Sequence, residues 1–91
     1  MEFTVTLHRD SLQTPWGFRL EGGRDFKSPL TIQRVFVGTP ASTDLMRGDV
    51  ITSIHNEDAN YLFHQEANEL IRSCGGSLHL GIRRFGLLNY L

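Results

Sequence analysis

A single cysteine, Cys74, stands in the 91 residues of this chain. It has no partner for an internal disulfide and no companions for a multi-cysteine zinc module, and one free thiol suits a reducing, cytoplasmic setting. Charge of either sign is lacking in excess: 9 Lys and Arg stand against 10 Asp and Glu. With the signs interspersed, there is no electrostatic case for binding nucleic acid or an anionic membrane. No apolar run approaches the length that crosses a bilayer, so membrane insertion is not expected. Met1-Glu2-Phe3-Thr4-Val5 is acidic and alternating where a secretory leader is basic and continuously apolar, so no signal peptide is expected either. Internal repeats, low-complexity segments and linkers are missing too. One small domain follows, burying about 60–70 % of its unfolded surface.

What the chain has is alternation. Phe3, Val5 and Leu7 alternate with Thr4 and Thr6 from Glu2 to Leu7, which predicts a half-buried strand. Further alternations predict strands over Leu30 to Val37, Val50 to Ile54 and Ser77 to Arg84. The period changes between Phe63 and Cys74. There Ala67, Leu70, Ile71 and Cys74 recur at i, i+3, i+4, i+7, Glu66 and Glu69 come early, Arg72 comes late, and Gly75-Gly76 follows, which predicts a helix with its apolar stripe against a sheet. A second, short helix is expected over Pro40 to Leu45, opened by its proline. Arg47-Gly48-Asp49 and His55 to Asp58 read as turns.

Pro15-Trp16-Gly17-Phe18-Arg19-Leu20-Glu21-Gly22-Gly23 is the least ordinary stretch. Gly17 between two large aromatics implies a backbone conformation or a close approach that a side chain would block. After it, Phe18 and Leu20 alternate with Arg19 and Glu21 as a strand leaving a loop. Such a loop offers amide donors beside apolar side chains, a combination suited to a group that is anionic at one end and apolar next to it. The element order gives an α+β, mainly β fold: five to six strands in a small antiparallel sheet or open barrel, capped by two helices.

Pro15-Trp16-Gly17-Phe18, Gly38-Thr39-Pro40-Ala41, Leu45-Met46-Arg47-Gly48-Asp49-Val50-Ile51 with Ile54, and His64 opening a helix with Ala67 and Ile71 together resemble a PDZ domain. The domain would span residues 1–84, followed by an apolar tail over 85–91. Within the family, Pro-Trp-Gly-Phe followed by Arg19-Leu20 and Gly22-Gly23-Arg24-Asp25-Phe26 is most similar to the PDZ domain that opens the PDZ-LIM (Enigma and actinin-associated LIM) proteins. The resemblance implies a peptide-recognition module that needs no cofactor. The amides of Trp16, Gly17 and Phe18 would hold the terminal carboxylate of a partner, and Trp16, Phe18, Leu20 and Ile71 would line the pocket for its last side chain. The partner's strand would pair with Phe18 to Gly22. His64, Asn68 and Ile71, at i, i+4, i+7, would form the facing wall, with His64 bonding a Ser or Thr third from the end. Arg19 and Glu21 would face outward beside the ligand, Arg19 favouring an acidic residue next to the terminus. By the same resemblance the setting is cytoplasmic and cytoskeletal, at actin structures such as the Z-disc, with alpha-actinin as a partner. Binding of internal motifs or lipid, without a free carboxylate, is the alternative, and a cysteine enzyme built on Cys74 the weaker competitor.

Phe63 stands where a Ser or Thr helix cap would be commoner. Arg24-Asp25 reads as a solvated loop, Arg83 and Arg84 as a solvent-facing strand end, and His8, His55 and His79 as surface histidines with no metal-binding spacing. Asn89-Tyr90-Leu91 has an apolar last residue that would fit the groove of a neighbouring copy.

Overall fold

A computed structural model describes residues 1–85. Strands β1 (Glu2–His8), β2 (Phe18–Gly23), β3 (Ser28–Val35), β4 (Val50–Ile54), β5 (Glu57–Asp58) and β6 (Ser77–Arg83) form a six-stranded antiparallel sheet, and one α-helix, α1 (His64–Ser73), packs on it. The strand order is β1-β6-β4-β3-β2, with β5 joined only to β4. The sheet therefore stays open, and β2 ends the path as an edge strand. The expected α+β, mainly β architecture holds.

The alternation does its expected work along β1 and β6, which pair without interruption from Glu2↔Arg83 to His8↔Ser77. Their inward residues Val5, Leu7, Leu78, Leu80 and Ile82 join Ile32, Ile51 and Ile54 in one core. From α1 that core receives Ala67 and Ile71. Ala67 is fully buried, so the helix axis lies close to the sheet and a larger side chain would push it away.

Two expectations need correction. Instead of two capping α-helices there is one among the described residues, because the segment expected to be helical over Pro40 to Leu45 forms only a short 3-10 helix, Pro40–Thr43. Leu45 N–H does reach the Ala41 carbonyl at 3.0 Å. The helix cannot propagate, since the chain is drawn onto β3 within a few residues: Gly48 N–H bonds Ile32 O and Ile32 N–H bonds Asp49 O, each at 2.8 Å. One turn does not repay the entropy of nucleation. The second correction is β5, expected as part of a turn. His55 and Asn56 take φ of 48° and 69°, a pair of left-handed residues that closes a tight hairpin without glycine and returns Asp58 to Ser53.

Arg83 is exposed as expected and lies 3.5 Å from Glu2. Arg84 is not solvent-facing: it grips the buried carboxylate of Asp49 with Nε on Oδ1 at 2.8 Å and Nη2 on Oδ2 at 2.7 Å. The apolar tail and the Asn89-Tyr90-Leu91 expectation fall outside the described residues.

Candidate functional site

A hollow of about 410 Å³ opens between the start of β2 and the C-terminal half of α1. Trp16, Gly17 and Phe18 form one side, Asn68 and Ile71 the other, with Phe36 and Thr39 behind. Gly17 is what the loop turns on. Its φ is +95°, and a Cβ there would overlap the Thr39 side chain. Thr39 cannot easily retreat, because its hydroxyl donates to Phe36 O at 2.7 Å.

The direction of the loop amides follows from where its carbonyls go. Trp16 O accepts from Ala41 N–H at 3.0 Å and Gly17 O from Phe36 N–H at 2.8 Å. In a trans peptide unit the C=O and the following N–H point opposite ways. With both carbonyls drawn into the fold, the N–H groups of Gly17 and Phe18 are turned to the other side, where these two residues line the hollow.

The remaining residues divide. Trp16 is 5 % exposed and its indole N–H donates to Ile71 O at 2.9 Å, so it both lines the hollow and ties the loop to α1. Leu20 is buried in the core cluster and is not part of the hollow's wall. Arg19 and Glu21 are exposed on the outward face of β2. His64 lies at the far end of the groove, with Nδ1 2.7 Å from Gly22 O. A carbonyl only accepts, so Nδ1 carries the hydrogen, and in the neutral ring Nε2 is left as an acceptor. Asn68 and Ile71 stand one and two turns further along the same helix face.

The helix start that lacks a local Ser or Thr cap is capped from a distance. Asp25 Oδ1 accepts the His64 N–H at 2.9 Å across 39 residues, while Glu66 accepts the Phe63 N–H at 2.8 Å. The Arg24–Phe26 turn is solvated as expected, and it is also tied to the start of α1. Arg24 N–H bonds Leu62 O at 2.9 Å, Phe26 meets the His64 ring edge-on at 5.8 Å, and a Cβ at Gly23 would strike the His64 backbone. Replacing Asp25 with alanine is expected to lower stability by about 1 kcal/mol, the usual worth of a lost cap. Chemical denaturation would read it, and a midpoint unchanged from wild type would count against this cap.

Arg9, which no motif singled out, holds the other end. It donates to the carbonyls of Gly75, Thr14 and Arg72 at 2.8, 3.0 and 3.1 Å and stacks 4.3 Å from the Trp16 ring. Cys74 Sγ has Ile71 O as its partner at 3.1 Å, a backbone carbonyl that cannot serve as a general base. The rings of His55 and His79 meet edge-to-face at 5.2 Å, beside a second hollow of about 400 Å³ walled by Thr4, Thr6 and Ser53. That polar hollow offers an apolar side chain little to pack against. Among the described residues, no group of three or more His, Cys, Asp or Glu could hold a metal ion, and no helix is long and apolar enough to cross a membrane.

Residues 4–83 match the PDZ domain family model. Human PDZ and LIM domain protein 4 is 45% identical over 85 residues, covering 92% of this chain and 25% of that protein. Human PDZ and LIM domain protein 7 is 48% identical over 71 residues, covering 77% of this chain and 16% of that protein. The chain thus spans a quarter or less of these relatives. In structure it is similar to the second PDZ domain of Dlg1 from the choanoflagellate Monosiga brevicollis, with a TM-score of 0.83 at 22% identity over 93% of this chain and 100% of that one.

Proposed function

The chain belongs to the PDZ domain family, and from that premise we propose that this interaction module captures the C-terminal peptide of a partner by adding it as a strand to β2. The observation that carries the proposal is the loop itself. Gly17 and Phe18 turn their N–H groups toward an apolar hollow at the open end of an edge strand. Backbone donors there receive the terminal carboxylate without a cationic side chain, and the hollow beneath takes an apolar last residue.

The ligand pairs with Phe18 to Gly22, Gly22 O keeping a second lone pair beside its bond to His64. His64 Nε2, kept as an acceptor by that same bond, suits a hydroxyl hydrogen from Ser or Thr third from the end. Cellular context follows from the resemblance: an adaptor at the actin cytoskeleton, with alpha-actinin the first partner to try.

A peptide ending in Ser or Thr, any residue, then Leu is expected to bind in the micromolar range, about 7–8 kcal/mol. Amidating its C-terminus should weaken binding by about tenfold or more, since a charge-assisted hydrogen bond contributes about 1.5–3 kcal/mol. Isothermal titration of the two peptides checks this. Equal affinities would remove the carboxylate reading and leave binding of internal motifs or lipid in its place.

A further inference from the structure

On the outward face of the sheet, Arg19 in β2 and Arg34 in β3 stand directly opposite one another, both exposed. Like charges in that position oppose folding, and the register did not have to put them there. Leu20 pairs with Ile32 and Glu21 with Thr31. Continued without interruption, that register would set Arg19 against Gln33. A bulge between Arg19 and Leu20 shifts the pairing by one residue and brings Arg34 there instead, the kind of re-aiming that bulges perform beside binding sites.

Phe36 holds the two guanidinium groups side by side. Arg34 lies 4.5 Å and Arg19 5.9 Å from its ring centroid, close enough for cation–π attraction. The same Phe36 backs the hollow and bonds Gly17 O through its N–H. The pair is thereby anchored at the carboxylate end of the groove. The ion pairs among the described residues join Arg72 to Glu69, Arg83 to Glu2 and Arg84 to Asp49. Neither Arg19 nor Arg34 enters one.

Resting on the C-terminal peptide reading above, we propose that Arg19 and Arg34 form a reading site for an anionic side chain at the second-from-last residue of the ligand, phosphate being favoured over carboxylate. Side chains alternate along a strand, so a ligand whose last residue drops into the hollow turns its second-from-last side chain outward beside Arg19. Arg34 stands about 4.8 Å further across, one strand spacing. Two guanidinium forks match the several acceptor oxygens of a phosphate better than the two of a carboxylate. The next outward residue of β2, Glu21, lies beside the fourth-from-last position and opposes an anion there. The readout is therefore specific to position and not a general basic attraction.

The test uses four free-carboxylate peptides that differ only in carrying Ser, Asp, phosphoserine or Lys at the second-from-last residue, titrated against wild type, Arg19→Gln, Arg34→Gln and the double variant. For wild type, phosphoserine is expected to bind about tenfold tighter than Ser, Asp a few-fold tighter, and Lys weaker than Ser, as charge-assisted bonds imply. In the double variant the spread should collapse. At about 0.5 M salt it should shrink, because exposed charges are screened within a few Å. Four equal affinities for wild type overturn the proposal while leaving the C-terminal reading intact. A spread that survives in the double variant also overturns it, as the anion is then read elsewhere. No binding by any of the four removes both readings together. If the variants do not fold, a wild-type preference for phosphoserine that is unchanged by salt overturns it.

Discussion

Gly17→Ala is expected to cost about a hundredfold in affinity for a C-terminal peptide while leaving a folded domain. The residue sits at φ +95°, where an L side chain adds about 1–3 kcal/mol of strain. The new Cβ also overlaps a Thr39 side chain held in place by Phe36 O. Relief comes by rotating the Gly17 peptide or by displacing Thr39. Rotation swings the amides off the hollow, and displacement loosens the turn that draws Gly17 O inward through Phe36. Two charge-assisted hydrogen bonds, at about 1.5–3 kcal/mol each, are enough to account for the loss. Thermal unfolding should stay cooperative, with Tm lower by several degrees, since about 1 kcal/mol shifts a domain of this size by about 4–8 °C. Adding Thr39→Gly removes the Oγ1, Cβ and Cγ2 atoms that the new Cβ would overlap, without changing φ, so the double variant should regain part of the stability and little of the affinity. A Gly17→Ala domain that binds peptide like wild type contradicts the assignment of the loop.

Asp49→Ala is expected to have the largest effect on stability. Asp49 is 1 % exposed. Besides the forked pair with Arg84, its Oδ2 accepts the Met46 N–H at 2.8 Å. Arg84 in turn lies 4.8 Å from the Phe3 ring and donates to Asp44 O at 3.0 Å. Truncation strands the guanidinium and the amide in a half-buried place, and removing one member of a buried pair costs about 3–5 kcal/mol. Against a total stability of about 5–15 kcal/mol, that brings the domain near unfolding at ordinary temperature. Asp49→Asn, which keeps an acceptor for Met46, should fall between. Urea denaturation at constant m checks both; a loss under about 1 kcal/mol for alanine would mean the pair is as weak as a surface ion pair. The hydrogen bond with Asp49 raises the Arg84 pKa, against a lowering from burial. A group raised on folding keeps its full contribution below its unfolded pKa and loses it as pH rises through the folded one. The contribution is therefore complete throughout the neutral range and fades only in strong alkali.

The residues of the candidate site were legible in unequal measure. Gly17 stood out because a residue without a side chain, set between Trp16 and Phe18, marks a backbone that bulkier residues would not tolerate. His64, Asn68 and Ile71 share a helix face by spacing alone. Trp16 was legible only as an aromatic; that its indole N–H ties the loop to Ile71 O needed the helix in place. Asp25 and Arg9 gave no local signal. Each acts on backbone groups far off in the chain, Asp25 across 39 residues and Arg9 on Gly75 across 66, and a backbone N–H or carbonyl looks the same at every position in a sequence. Asp49 and Arg84 read as a turn residue and a strand end for the same reason.

The sequence by itself determined what is local: which faces of the strands are apolar, where the period changes from strand to helix, and that residue 17 must take a conformation other residues avoid. Strand order, the bulge that sets Arg34 against Arg19, and the cap on α1 came only from the tertiary structure. Alternation tells which side of a strand is buried but not which strand lies beside it, since every strand offers the same backbone donors and acceptors. That β2 ends the sheet, with its outer edge beside α1 and a hollow at its start, is such a decision. It turns an ordinary strand into a place where another chain can pair.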